Sequence, residues 1–407
     1  MAFNPFKEKG LPAEKQYTNW NTLNVKPYDK GAIDPYTRCR VILVNGAEFE
    51  ANWFGHQWAR HCDDPEAKRQ IAMTRRLEQM QQKMVSALVP ANESVLEHTI
   101  GYEQVAVDLT AWLARHEPDP LVKAGLDFAL LEDFDHLYRY ANLLEMRQGI
   151  KAETLVGKYT EIIPGRPTIA EHRHPFDDVR NHYDATKADI RTKLNSMTIV
   201  AAEQQTMNYY MNQANRLEDT VGRGLYSEIG MIEEQHVTHY ESLLDPTLSW
   251  SMMHVMHEYN ECYLYWSCMQ TESDARIKKI WENHLEMEIG HLHGAVELMK
   301  RVEGKDPVSE FPNAFPEPLT FESNVDYVRN ILAEQENLTA NLADYVPVSS
   351  LPKDHRYFQV QQIINEGGTP SQQVITEHIE KMGKDYRWEL AGAHPVERLR
   401  ERQRAVA

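Results

Sequence analysis

Apolar residues recur every three to four positions over long stretches of this chain, the spacing of helices that each bury one face. The first stretch follows Asp34-Pro35, a capping residue with proline in the first turn. Val41, Val44, Glu48, Ala51, Gly55 and Trp58 then share one stripe. "CDDPEA" (62–67) is a turn with a second Asp-Pro start, and "VPANES", "HEPDP", "LDPT" and "TESDA" break later stretches. The pattern predicts eight core helices. One runs from about Asp34 to the CDDPEA turn and a second on to about Leu88. The others cover about 94–115, 119–147, 178–217, 222–244, 247–271 and 274–302.

Between them, residues 149–177 have no clear period and are punctuated by glycine and proline. So long a connection inside a compact domain reads as a crossover or a functional loop. Residues 1–33 read as an extended arm, and "EFPNAFPEPLTF" as an arm over the surface. The remainder, 322–407, predicts two or three further helices around "VPVSSLPKDH" and "NEGGTPS", then a charged tail.

Acids interrupt the apolar stripes at a fixed interval. Glu203 is followed thirty residues later by Glu233-x-x-His236, and Glu258 by Glu288-x-x-His291. Glu103 is followed by Asp133-x-x-His136, and Glu48 by Glu78-x-x-Gln81. Thirty residues suit a helical hairpin that returns to its starting height, at 1.5 Å rise per residue. Residues three apart share a helical face. Four hairpins therefore repeat one layout, with Gln81 in place of a histidine and Asp133 in place of a glutamate.

The hairpins also repeat as pairs. An offset of 155 carries Glu48 onto Glu203 and Glu103 onto Glu258. It also aligns Asp64 with Asp219, Leu88 with Leu243, Asp119 with Asp274, Lys123 with Lys278 and Leu143 with Leu298. The expectation is a four-helix unit duplicated into an eight-helix core. Its repeats would span about 34–148 and 189–302, with a C-terminal extension at 303–407.

Charge and composition exclude some functions. A net charge of −18 without a sustained basic stripe argues against nucleic acid as a partner. No apolar run approaches a membrane span. The N-terminus has no apolar signal region, and Cys39, Cys62, Cys262 and Cys268 form no C-x-x-C. A cytoplasmic protein is the expectation.

Acids facing a bundle interior are costly and raise each other's pKa unless something compensates them. A pair of divalent cations does so, and four carboxylates with two imidazoles are a di-iron or di-manganese ligand set. At these residues, and most directly in "IEEQHVTHY", the chain resembles the ferritin-like superfamily, in its rubrerythrin-like and di-iron oxygenase-like branches. The resemblance covers about 35–302. It implies an all-α, ferritin-like four-helix bundle and a non-haem centre of two iron ions, or manganese, or both. It also implies an oxidoreductase of the oxygenase or oxidase kind, acting on O2 or peroxide.

Ferritin-like sites join hairpins through a long connection. The turn between His236 and Glu258 is short, and the connection from His136 to Glu203 is long. The first expected ligand set is therefore Glu103, Asp133, His136, Glu203, Glu233 and His236. An alternative pairs the Glu103 hairpin with Glu258, Glu288 and His291, leaving Glu48, Glu78 and Gln81 with the Glu203 hairpin as a weaker site; the tight pairing of the Glu203 and Glu258 hairpins, or two sites, also stays open. Tyr140, Tyr210 and Tyr240 lie one turn from the ligands, as hydrogen-bond partners, radical relays or packing. Glu234 and His239 are neighbours rather than ligands. The segment lacks a Cys-rich electron-transfer module, so electrons would come from an external donor. A small organic substrate and a homodimer are compatible with the sequence. The competing functions are metal storage or peroxide detoxification, and a metal-free helical scaffold with relic ligands.

Overall fold

The computed structural model describes residues 3–217 and 219–402. It is overwhelmingly helical. The long helices are α1 (Pro35–His61), α2 (Pro65–Ser86), α3 (Val95–His116), α4 (Pro120–Gln148), α5 (Ile190–Gln213), α6 (Thr220–Glu241), α7 (Trp250–Thr271) and α8 (Ala275–Glu303). Three shorter ones follow: α9 (Val325–Gln335), α10 (Arg356–Ile364) and α11 (Pro370–Met382). One antiparallel hairpin, β1 (Leu338–Asn341) and β2 (Asp344–Pro347), lies between α9 and α10. No helix among the described residues is long and apolar enough to cross a membrane.

The helices start where short polar side chains satisfy their free N–H groups. Asp34, Asp64, Ser94, Asp119, Asp219, Ser249 and Asp274 each accept a hydrogen bond from the first turn they cap. Asp189 accepts from Arg191 N at 2.8 Å. These caps fall in four pairs 155 residues apart: 34 and 189, 64 and 219, 94 and 249, 119 and 274. Glu117 and Glu272, another such pair, each accept from the backbone N–H of the cap two residues on.

The chain divides into two compact units. The first takes in the described residues of Met1–Glu93, Asp184–Ala201 and Asp245–Thr320; the second those of Ser94–Tyr183, Ala202–Leu244 and Phe321–Ala407. The first unit thus joins the α1–α2 and α7–α8 hairpins, and the second joins α3–α4 to the end of α5 and α6.

Three expectations need correction. The fifth helix begins at Ile190, not near Asp178. In the interval Asp184 bonds the N–H and hydroxyl of Thr186, at 2.9 and 2.6 Å, and this local turn displaces helix. The C-terminal region holds a β-hairpin as well as its three helices. The proline-rich arm is not superficial throughout, because Phe311, Phe315 and Leu319 are buried. Of the charged tail, 403–407 lie outside the described residues.

In the second unit the 149–177 connection is clamped to α4. Arg166 N donates to Leu131 O at 2.9 Å. Asp135 accepts from Gly165 N (3.1 Å), Thr168 N (2.8 Å) and the Thr168 hydroxyl (2.7 Å). Gly165 is required by this approach, since a Cβ there would sit 2.2 Å from Leu131 O.

Candidate metal centre

The second unit gathers all six residues of the first expected set into its interior, each at most 1% exposed. α3 supplies Glu103, α4 supplies Asp133 and His136, α5 supplies Glu203, and α6 supplies Glu233 and His236. Two overlapping groups form. Asp133, Glu203, Glu233 and His236 each offer a ligand atom within 4.8 Å of the others, and so do Glu103, His136 and Glu233. Glu233 belongs to both.

Both histidines are held from behind. His236 Nε2 lies 2.9 Å from Glu132, and His136 Nε2 lies 2.9 Å from Glu171. Glu132 stays ionised and can only accept, so His236 Nε2 carries the proton there. His236 Nδ1 then faces Asp133 at 3.2 Å, Glu233 at 3.4 Å and Glu203 at 3.6 Å. These distances suit ion pairs, but the angles make no hydrogen bond, and Nδ1 has no such partner. His136 Nδ1 lies 3.1 Å from Glu233.

The acids are starved of partners. Both oxygens of Asp133 and Glu203, and one each of Glu103 and Glu233, are buried without a hydrogen bond. Burial, with neighbouring acids adding to it, raises the pKa of Glu103, Asp133 and Glu203. Burial opposes ionisation of Glu233 too, but hydrogen bonds and charge from the two histidines outweigh it and hold its pKa low. Burial likewise opposes protonation of His136 and His236. The acids around them more than reverse it, so both are raised. Protons therefore occupy this interior, and a cation bound there would have to displace them.

Arginines support this interior from the side. Glu132 receives Arg166 at 3.0 Å and Arg173 at 2.6 Å. Their charge, set against the burial that opposes it, keeps Glu132 ionised. The Arg166 guanidinium lies 4.0 Å from the Phe128 ring centroid. Glu171, pushed up to about 7 chiefly by burial, comes from the short helix Thr168–Glu171.

The tyrosines differ. Tyr210 donates to Glu103. Tyr140 and Tyr240 are fully buried, and neither hydroxyl has a hydrogen-bond partner. Tyr140, Tyr210 and Tyr226 form an aromatic cluster with centroids 4.9–5.4 Å apart. Glu234 is exposed. His239 is wholly buried and meets the Tyr345 hydroxyl at 3.1 Å.

Glu258, Glu288 and His291 are not partnered with the Glu103 hairpin. They lie in the first unit with Glu48, Glu78 and Gln81, so the alternative pairing is not the one adopted. The 155-residue offset fixes the repeat but not which hairpins meet, and the length of the His136–Glu203 connection is the feature that separates the two pairings. Sequence reasoning missed Glu132, Glu171, Arg166 and Arg173. Glu132 adjoins Asp133 in "LLEDFDHL", a third acid among apolar residues. The others lie in the connection already marked as unusual.

A cavity of about 700 Å³ opens in the second unit between α6, α10 and the segment after Glu171. Met231, Ile232, Thr238, Val360 and Ile364 line it, with His172 and Glu228 as polar contacts. Comparison with protein-family models, curated proteins and solved structures returned no match.

Proposed function

We propose that this chain is a non-haem dinuclear metal carboxylate protein of the ferritin-like kind, an oxidoreductase that uses O2 or peroxide. The centre is that of the second unit, with two iron ions, or manganese in one or both positions. One observation carries the reading. Six unpartnered carboxylate oxygens and a free imidazole Nδ1 face one buried interior. Leaving such groups unsatisfied costs about 1–3 kcal/mol each, more when charged, and two cations remove that cost.

Glu103 and His136 would hold one ion, Asp133, Glu203 and His236 the other, with Glu233 between them. The metal pair, when bound, supplies the electrons that reduce O2 or peroxide. The protein's own part is positional. Glu132 and Glu171 fix which imidazole nitrogen faces inward. Tyr210 steadies Glu103 by its hydrogen bond. The apolar walls exclude bulk water and so strengthen every charge interaction inside. The 700 Å³ cavity beside Glu171 and His172 is of the size that takes a small organic molecule, which favours an oxygenase or oxidase over storage.

The same reading treats the chain as a duplicated ferritin-like unit, supported by the four cap pairs at one offset. Metal analysis of protein purified without chelator tests the whole. The expected result is at least two iron or manganese ions per chain, and rapid O2 consumption by the reduced protein. Mineral build-up would favour storage. No metal, and none taken up on reconstitution, would sink the proposal.

A further inference from the structure

The first unit contains a buried cluster of its own, with a different composition. Glu48, Glu78, Glu258, Glu261, Glu288 and His291 are all at most 3% exposed. Two groups offer ligand atoms within 4.8 Å of one another: Glu78, Glu258 and His291, and Glu258, Glu261 and Glu288. The cluster is not a closed hydrogen-bond network. Both oxygens of Glu261, one each of Glu258 and Glu48, and the amide oxygen of Gln81 lack any hydrogen-bond partner.

The protonation of His291 follows from its neighbours. Gln16, on the N-terminal arm, donates its amide N–H groups to Leu11 O at 2.8 Å and Met287 O at 3.1 Å. Its oxygen is therefore left to accept from His291 Nε2, at 2.6 Å. His291 Nδ1 is then the nitrogen turned to the acids, 3.1 Å from Glu288 and 3.8 Å from Glu258, and a cation bound there would take the place of its proton. Gln16 is held there by a backbone seat. Leu11 N donates to Glu286 O at 2.7 Å, and a Cβ on Gly290 would meet Leu11 O at 2.0 Å. Behind the other side, His254 Nε2 contacts Glu258 at 2.8 Å, while burial holds the His254 ring neutral. A cavity of about 560 Å³ between the arm and α8 has both His254 and His291 in its wall.

We propose that the first unit is a second divalent-cation site, built around Glu258 as the shared carboxylate. One position takes Glu78, Glu258 and His291. The other, all oxygen, takes Glu258, Glu261 and Glu288. Gln81 stands where the second unit has a second histidine, so this site has one nitrogen among many oxygens. Oxygen-rich sets suit manganese or magnesium better than zinc or copper, and one imidazole favours a transition ion over magnesium. Mn2+ fits both positions.

The test uses the full chain, stripped by chelator and titrated with Mn2+ alone, with free Mn2+ read by electron paramagnetic resonance. The variant E233Q/H236Q disables the second unit. It is expected to take up two equivalents still, falling to one with H291Q added and to none with E258Q added. Q16L is expected to weaken the histidine position about tenfold, as loss of a ligand's orienting partner does, with the helical circular dichroism unchanged. No uptake by a helical E233Q/H236Q chain, or uptake indifferent to E258Q, would overturn the proposal. Should the double variant lose its helicity, the wild type decides. Four equivalents falling to two in E258Q support the site, and a number unchanged by E258Q refutes it. A second unit that binds nothing would appear separately, as two equivalents in the wild type and none in E258Q.

Discussion

His236 rests its Nε2 2.9 Å from Glu132 and turns its Nδ1 toward Asp133, 3.2 Å away. One buried carboxylate thus decides which nitrogen is offered to the interior. Glu132 is also the counter-charge for Arg166 and Arg173. Removing it should do two things. E132Q should weaken metal binding at the His236 position by about 10–100-fold. It should also destabilise the chain by about 3–5 kcal/mol, the usual cost of breaking a buried ion pair from one side. Metal titration and urea unfolding measure the two effects, and a stable E132Q chain with wild-type affinity would contradict both.

Glu203 should behave in the opposite sense. Both its oxygens are buried without hydrogen bonds, and burial with the charges of Asp133 and Glu233 raises its pKa. In the metal-free chain it is a liability. E203M should therefore raise the stability of the stripped protein by about 1–3 kcal/mol. It should also lose most of the gain in melting temperature that saturating metal gives the wild type. Paired thermal scans with and without metal read this directly.

Two glycines separate strain from collision. Gly149 has φ 68°, and a Cβ there meets nothing within 4 Å. G149A should cost about 1–2 kcal/mol, the left-handed penalty alone. G165A must push the connection away from Leu131 O, and with it Arg166 and Thr168. Its cost should exceed that of G149A, at about 2–3 kcal/mol or more, and its metal affinity should fall while that of G149A does not.

Asp177 gives a pH dependence away from the proposed metal ligands. It accepts from Leu342 N at 2.7 Å and pairs with Arg356, fastening the β-hairpin and α10. Burial alone would raise its pKa, but the Arg356 and Leu342 bonds outweigh this and hold the carboxyl below the usual aspartate range. A depressed carboxylate stabilises fully above its unfolded value and loses that contribution as pH falls through the folded one. Hydrogen exchange in Leu338–Pro347 should therefore accelerate below about pH 4, beyond the intrinsic pH trend. D177N should show fast exchange already at pH 7 and no extra acid step.

Much of the helical layout was legible because its signals are local. Asp34-Pro35 and Asp64-Pro65 start helices where a short acid precedes proline, and the interval of thirty follows from rise per residue. The six interior residues of the second unit could be named for the same reason. What escaped depends on distant partners. Leu342 adopts φ 53° in a turn with no Asn-Gly signal, held by Asp177 from 165 positions away. Gln16 orients a histidine 275 positions later. Neither relation has a period. The fifth helix starts later than expected because a side chain, Asp184, takes the Thr186 N–H that a helix would use.

The division of the chain into two units also sets an order of assembly. Glu48 waits for Tyr265, 217 residues downstream, to give it a hydrogen bond. In the second unit, α3, α4, the end of α5 and α6 are complete by Glu241, and the described residues of Phe321–Ala407 follow later. On a ribosome adding about 5–20 residues per second, α1 and α2 leave the exit tunnel many seconds before α7 and α8 exist. During that interval their buried-to-be acids stay hydrated and their apolar stripes stay open. The first hairpin is therefore the segment on which a chaperone, or an aggregate, would act first.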